Sequence, residues 1–127
     1  MKWFVVRSQL RDHLLKAYTK AGIASPLDVG WGNGYVVIPK DHPWFNVEEH
    51  LMPVNVNGGI TFSSIINLEM LEIWKELDEQ DIGDYLIGFD TGHYNDTFKK
   101  WPKKRVIQET IELERQIRSL GERVFID

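Results

Sequence analysis

Hydrophobic and polar positions along this chain repeat with two periods, one typical of helices and one typical of strands. From Ser8 onward the apolar residues recur every three or four positions, and Gly22 can end such a helix in the left-handed conformation. We therefore predict a helix over residues 8–21. The same period predicts an acidic helix over 67–79 and a last helix over 102–120.

Strand-like patterns fill the middle of the chain. Gly32-Asn33-Gly34 lies between the β-type runs 27–31 and 35–39, and an Asn-Gly pair supplies the positive φ angles of a tight turn. The run 54–63 has the same form around Asn57-Gly58-Gly59, so two hairpins are predicted. The run 85–89 is fully apolar and predicts a central buried strand.

This order of elements predicts one α+β domain over residues 1–127. Its sheet should be mostly antiparallel, with four or five strands packed against two or three helices. A chain of 127 residues, 43% hydrophobic and 27% charged, has the size and composition of one ordinary globular domain.

Charge and composition exclude several classes of function. A net charge of -4 has the wrong sign for general duplex binding, so any contact with a nucleotide must be local. With no cysteine, the chain has no disulfide and no thiolate metal site. No apolar run approaches the ~18 residues of a membrane span, and the N-terminal apolar run is too short for a signal peptide. We expect a cytoplasmic protein without membrane contact that forms a closed homo-oligomer.

The stretch 88–96 leaves the buried strand and runs through a series of cations into the last helix. Lys103, Lys104 and Arg105 fall at the positive end of the helix dipole, where acidic residues are favoured by ~0.3–1 kcal/mol each. Such violations concentrate at functional sites, and free amides beside cations can bind an anion. Alternatively, Asp90 and Asp96 neutralise these cations, or water solvates them.

A rigid aromatic loop with proline at both ends covers residues 39–43 and continues into Trp44. His42 is a better functional candidate than His13 or His50, and Trp44 either covers the core or stacks on a ligand. The candidate ligand-binding residues are His42, Trp44, Asp90, His93, Asn95, Asp96, Lys103, Lys104 and Arg105. No catalytic residue, metal or cofactor is assigned, since His93 and Asp96 lack a diagnostic metal spacing.

Three blocks of this sequence occur in a distinctive order: Gly34–Pro39 with His42-Pro43, Asn57–Ser63, and Ile87–His93 with Asp96. Together they resemble a family of small, uncharacterised proteins common in phages and prophages. Family members often carry a histidine where this chain has Asn57, a departure that weakens any metal-ligating role at that position. The resemblance implies a phage-type accessory protein that acts against host immunity, in the cytoplasm of the host cell.

Three functions fit these patterns. In the first, the protein binds and sequesters a small anionic, nucleotide-like signalling ligand, such as a cyclic nucleotide, without turnover. In the second, it binds and inhibits a host defence complex, as anti-CRISPR proteins do, through the acidic helix or an exposed Trp patch. In the third, it hydrolyses a nucleotide signal with His42 or His93 as general base, assisted by Asp90 or Asp96. Enzymatic activity stays open, with binding favoured.

Overall fold

In the part of the chain that the structure describes, the protein forms a four-stranded antiparallel sheet packed with three helices, which confirms the predicted α+β class. The computed structural model describes residues 1–22 and 28–126, with only the backbone over 122–126. The strands are β1 (Trp3–Arg7), β2 (Gly32–Ile38), β3 (Phe62–Ile65) and β4 (Tyr85–Phe89), in the spatial order β1-β2-β4-β3. The helices are α1 (Gln9–Lys20), α2 (Met70–Ile73) and α3 (Lys103–Ile126), with 3-10 turns at Glu49–Leu51 and Glu79–Asp81.

Two apolar clusters cover the two faces of the sheet. On the first face, side chains of β2 and β4 such as Val36 and Ile87 pack in one cluster with Val106 and Leu113 of α3. On the second face, a cluster of Phe4, Tyr35, Val37 and Leu86 packs with Ile66, Met70 and Leu77. Because β4 is buried along its whole length and pairs with β2 and β3, the predicted central strand is confirmed.

The first helix agrees with the sequence prediction. Ser8 caps α1, because its Oγ accepts a hydrogen bond from the backbone N–H of Arg11 at 3.1 Å. Gly22 follows the helix with φ +74, a left-handed conformation that glycine adopts without strain.

The predicted hairpin at residues 27–39 is wrong, because Gly32-Asn33-Gly34 lies inside the continuous strand β2. The described residues of the proposed first arm, 28–31, precede that strand, and residue 27 lies outside the described part of the chain. A Cβ on Gly32 would collide with the backbone of Val6, and one on Gly34 would collide with Thr110 of α3. These glycines therefore allow close packing on both sides of β2, and they form no turn.

The predicted hairpin at 54–63 is also wrong, although its turn exists. The N–H of Gly59 donates to the carbonyl of Val56 at 2.9 Å, and Gly58 and Gly59 both have positive φ. Residues 54–61 form no strand, and β3 begins only at Phe62, where it pairs with β4. Val54, Val56 and Ile60 pack on the first face of the sheet, but Phe62 packs on the second.

The predicted acidic helix over 67–79 is wrong, because α2 is only four residues long. It ends at Trp74, whose backbone is extended with φ -113 and ψ 109. A capping box at Asp78 then starts the 3-10 turn Glu79–Asp81. The segment follows the curvature of the sheet, which lets Met70, Trp74 and Leu77 all pack on the second face.

The last helix begins as predicted but continues beyond residue 120 to Ile126. Gly121 lies inside α3, where a Cβ would collide with the imidazole ring of His42. Close packing thus explains this glycine, and helix termination does not. Among the described residues, no helix has the length and apolarity that a membrane crossing requires.

Candidate functional site

The loop after β4 is held by its own aspartates. Oδ1 of Asp90 accepts from the N–H of Gly92 at 2.9 Å, and Oδ2 of Asp96 accepts from the N–H of His93 at 3.0 Å. Asp96 is only 6% exposed, so donors within the protein, such as the N–H of His93, must replace water at its carboxylate. The polar sequence of this loop therefore forms an ordered structure.

His93 lies between two carboxylates. Its Nδ1 is 3.1 Å from Oδ2 of Asp96 and 3.4 Å from Oδ1 of Asp90, an arrangement that requires a proton on Nδ1. Nδ2 of Asn57 donates to both carboxylate oxygens of Asp96 at 3.2 Å. A neutral His93 would then carry a lone pair on Nε2, which is the tautomer of a histidine acting as general base.

Gly58 lies directly against the His93 ring. A Cβ at this position would approach Nδ1 to 2.6 Å, and Gly58 also has φ +71.

Among the described residues, no group of three or more His, Cys, Asp or Glu side chains is arranged to hold a metal ion.

Thr91 fixes this loop to the start of β2. Its buried Oγ1 donates to the carbonyl of Gly32 at 2.7 Å, and its own carbonyl accepts from the N–H of Gly30 at 2.8 Å. These bonds place Asp90, Thr91 and Gly92 at the edge of the second sheet face.

A cleft of about 480 Å³ opens there, on the part of the second face that the Met70–Leu77 segment leaves uncovered. Its volume is in the ~300–1,000 Å³ range of small-molecule sites. It is lined by Val6, Arg7, Ser8, Gln9, Leu10, Val29, Asn33, Tyr35, Ile73, Trp74, Asp90, Thr91 and Gly92. The cleft thus combines one end of the sheet, the first turn of α1 and the loop after β4.

Polar groups converge on the aromatic side of this cleft. Asn33 lines this side of the cleft, and the ring of Tyr35 packs edge-on to that of Trp74 with centroids 5.5 Å apart. Burial raises the pKa of Tyr35, and the nearby charge of Asp90 raises it further. Tyr35 is therefore a neutral hydroxyl at physiological pH.

The opposite wall of the cleft comes from the start of α1. Gln9 and Leu10 belong to the first helical turn, whose backbone amides have no acceptor within the helix. Arg7 adds a guanidinium, which also pairs with Asp12 at 2.8 Å. This wall therefore combines free backbone amides with a guanidinium whose charge Asp12 partly offsets, and Asp90 lines the same cleft.

The cations of the last helix make aromatic contacts. Nζ of Lys103 lies 5.4 Å from the centroid of the Trp31 ring, and the guanidinium of Arg105 lies 4.2 Å from that of Trp101. Arg105 also donates to the carbonyl of Lys100 at 2.7 Å. Lys104 is exposed, and none of these three cations lines the 480 Å³ cleft.

The remaining loop residues are exposed. Asn95 has φ +75, and its carbonyl lies 3.5 Å from Nζ of Lys100. Its neighbour Tyr94 is 95% exposed. The loop and the cations are thus in contact through Lys100, but the cleft contains only Asp90 among the nine candidate residues.

His42 and Trp44 lie at the other end of the molecule. His42 comes shortly after the last residue of β2, which pairs with Tyr85, the first residue of β4. Asp90 follows the last residue of β4 and therefore lies at the opposite end of these strands. Nε2 of His42 donates to the carbonyl of Ile117, and its Nδ1 accepts from the N–H of Trp44, both at 3.0 Å. Ile117 is 14 residues, or about 21 Å of helix, beyond Lys103. The structure therefore does not bring His42 and Trp44 to the loop.

Sequence reasoning missed most of the cleft. Arg7, Tyr35 and Trp74 come from three distant segments, and nothing in their local sequences marks them as neighbours. Asn33 did carry a signal, as a polar residue between two glycines, but that signal was interpreted as a turn. Asn57 was likewise assigned to a turn, although it binds Asp96.

Comparisons with known proteins add no assignment. No model of a protein family matches the chain, no characterised protein does, and no solved structure does.

Proposed function

We propose that the protein binds a small anionic, nucleotide-like ligand in the cleft between α1, Trp74 and Asp90. The observation that carries this proposal is the cleft itself, which brings a guanidinium and free helix amides, an aromatic side and a carboxylate together in about 480 Å³. The cationic, aromatic and carboxylate groups suit, in that order, the phosphate, the base and the sugar hydroxyls of a nucleotide.

The anionic part of the ligand is assigned to the α1 side. Arg7 supplies charge, and the first turn of α1 supplies amides at the positive end of the helix dipole. Since Asp12 already pairs with Arg7, the site favours a ligand with few negative charges over a polyphosphate.

The flat part of the ligand is assigned to the aromatic side. Trp74 and Tyr35 form an edge-on pair, and Ile73 and Leu10 are exposed apolar side chains beside them. Oδ1 of Asp90 already accepts from Gly92, so its other carboxylate oxygen would accept from sugar hydroxyls or an exocyclic amino group of the ligand. Asn33 has both donor and acceptor atoms for a base edge.

Binding without turnover is proposed because the described lining of the cleft contains no histidine to act as a base. In the context that the phage resemblance implies, such a protein would sequester a signal of host immunity. A closed homo-oligomer, which would add walls to this open cleft, remains part of the proposal.

Thermal shift against mononucleotides, linear dinucleotides and cyclic dinucleotides tests this function, followed by recovery of the ligand from denatured protein. We expect stabilisation by at least one nucleotide and recovery of that nucleotide intact. A melting temperature that no nucleotide raises would contradict the proposal.

A hydrolase acting on a nucleotide signal is the second candidate, supported by the pairing of His93 with Asp96. Nδ1 of His93 is held at 3.1 Å from a buried carboxylate, which would leave Nε2 as a base for water. If the denatured protein released product and not intact ligand, and if His93→Gln abolished this turnover, the hydrolase would be favoured over sequestration.

A further inference from the structure

A second surface carries positive charge in a protein whose net charge is -4. It combines the start of α1 with the chain that leads into α3. Its basic residues are Arg7, Arg11, Lys99, Lys100, Lys103 and Lys104, which we call the basic surface. All of them except Arg11 are exposed, so their charge faces solvent.

Backbone and aromatic contacts make this surface continuous. The N–H of Ser8 donates to the carbonyl of Trp31, and the N–H of Trp31 donates to that of Trp101, both at 2.8 Å. Lys103 lies over the ring of Trp31, and the guanidinium of Arg11 lies 4.0 Å from the centroid of the Phe98 ring. Segments distant in sequence are thereby joined into one face with cations above aromatic rings.

Acidic residues neutralise only the α1 part of the basic surface. Arg7 pairs with Asp12 at 2.8 Å, and Arg11 pairs with Asp28 at 3.0 Å. Within the described chain, Lys99, Lys100, Lys103 and Lys104 have no carboxylate within salt-bridge distance. These four exposed lysines therefore carry uncompensated charge, and Lys103 carries it directly over the ring of Trp31.

A recess of about 260 Å³ lies within the basic surface. Trp31 and Phe98 contribute its aromatic walls, and Arg7, Arg11, Asp12 and Leu15 complete its lining. Tyr94 adds a 95% exposed ring at the edge of the surface, next to the residue whose carbonyl Lys100 contacts. Aromatic faces beside cations bind unstacked bases and their phosphates together.

We infer that the basic surface binds single-stranded nucleic acid, with a base in the recess and the backbone along the lysines. A duplex keeps its bases stacked and paired, so it could not use the recess or the Tyr94 ring. The basic surface shares Arg7 with the cleft of the small-ligand proposal, but none of its four lysines lines that cleft.

The test is fluorescence anisotropy with a labelled oligothymidylate of about 12 nucleotides, which is within the ~4–16 nucleotide site sizes of single-strand binders. If four lysines each neutralise a phosphate, the slope of log K against log salt is about -2.8, and affinity falls about 50-fold between about 50 and 200 mM salt. Lys103→Glu with Lys104→Glu should lower affinity at least tenfold and reduce the slope by about 1.4.

Lys40→Glu with Lys75→Glu is the matched control, because it makes the same charge change at exposed lysines outside the basic surface. It should leave affinity unchanged within about twofold, with the melting temperatures of both double variants compared to exclude unfolding. Phe98→Ala should weaken binding about tenfold and leave the salt slope unchanged, because it removes a stacking surface and no charge.

Three results would overturn the inference. The first is no binding at about 50 mM salt. The second is equal loss in the control variant, which would indicate a general charge effect. The third is equal or tighter binding of a duplex, or of anionic phospholipid vesicles, which would assign the surface to another class of partner.

Discussion

Gly58 shows how single residues position the candidate site. It combines a left-handed backbone with close contact to the His93 ring, whereas Gly59 has nearly the same φ, +77, and a Cβ added there would meet no atom within 4 Å. The two glycines look equivalent in the sequence because both follow Asn57. Only the folded chain shows that Gly58, and not Gly59, packs against the imidazole ring of His93.

Gly58→Ala should therefore cost more stability than Gly59→Ala. Both substitutions strain the backbone by ~1–3 kcal/mol, but only the first also displaces His93 from Asp96. Chemical denaturation of the two variants gives the comparison. Equal losses would show that the contact with His93 adds nothing.

His42 has a structural role at the residue scale. It is held as the neutral tautomer, since Nδ1 accepts from Trp44 and Nε2 donates to Ile117. Burial lowers the pKa of His42 below its ordinary value of 6.5. The sequence analysis favoured His42 over His13 and His50 as a functional candidate, whereas the structure places its ring against Ile117 of α3 and away from the loop after β4.

The lowered pKa of His42 predicts a pH dependence of stability. Below pH 6.5 the unfolded chain takes up a proton that folded His42 resists, so this contribution is present at neutral pH and is lost as the pH falls. Urea denaturation between pH 7.5 and pH 5 should show a shallower decline for His42→Gln than for the original protein. His13→Gln, at an exposed position of α1, should leave the decline unchanged.

At the scale of elements, periodicity predicted α1, β4 and the start of α3 because each has an uninterrupted pattern and clear ends. Sequence patterns gave wrong predictions where the same residue type is typical both of turns and of close packing within a strand. Glycines at 32 and 34 allow close packing inside β2, although beside Asn33 they have the sequence of a turn. The helical spacing over 67–79 instead matches a segment that bends at Trp74 to follow the sheet.

That bend also affects the hypothesis of a protein-binding inhibitor. The acidic residues of 67–79 do not form one helical face, since α2 contains only Met70–Ile73. An inhibitor could instead use exposed apolar side chains such as Leu68 and Ile73 of this segment, or an exposed tryptophan such as Trp3.

Ile87→Ala tests the central role of β4. Ile87 is fully buried against α3, so truncation leaves a cavity and should cost ~2–5 kcal/mol. Ile65→Ala, at the end of the edge strand β3 and 37% exposed, is the matched control and should cost much less. Similar denaturation midpoints for the two variants would contradict this packing.

At the scale of the whole molecule, the fold divides the chemistry that the sequence placed in one stretch. Asp90 lines the cleft on the second face, Asp96 binds both Asn57 and His93, and Lys103 lies on Trp31. Local sequence could locate this polar stretch, but it could not assign its members to different surfaces. That assignment depends on long-range pairing of β1, β2 and β4.

Binding of an anionic, nucleotide-like ligand in the cleft is tested most directly by isothermal titration of a nucleotide that stabilises the protein. Asn33→Asp, nearly isosteric, replaces an amide donor with a second carboxylate beside Asp90 and should weaken binding at least about tenfold. Asn67→Asp makes the same change at an exposed residue whose Oδ1 accepts from the N–H of Met70, and it should leave affinity unchanged. Undiminished binding by Asn33→Asp, with a normal melting temperature, would contradict a ligand site in this cleft.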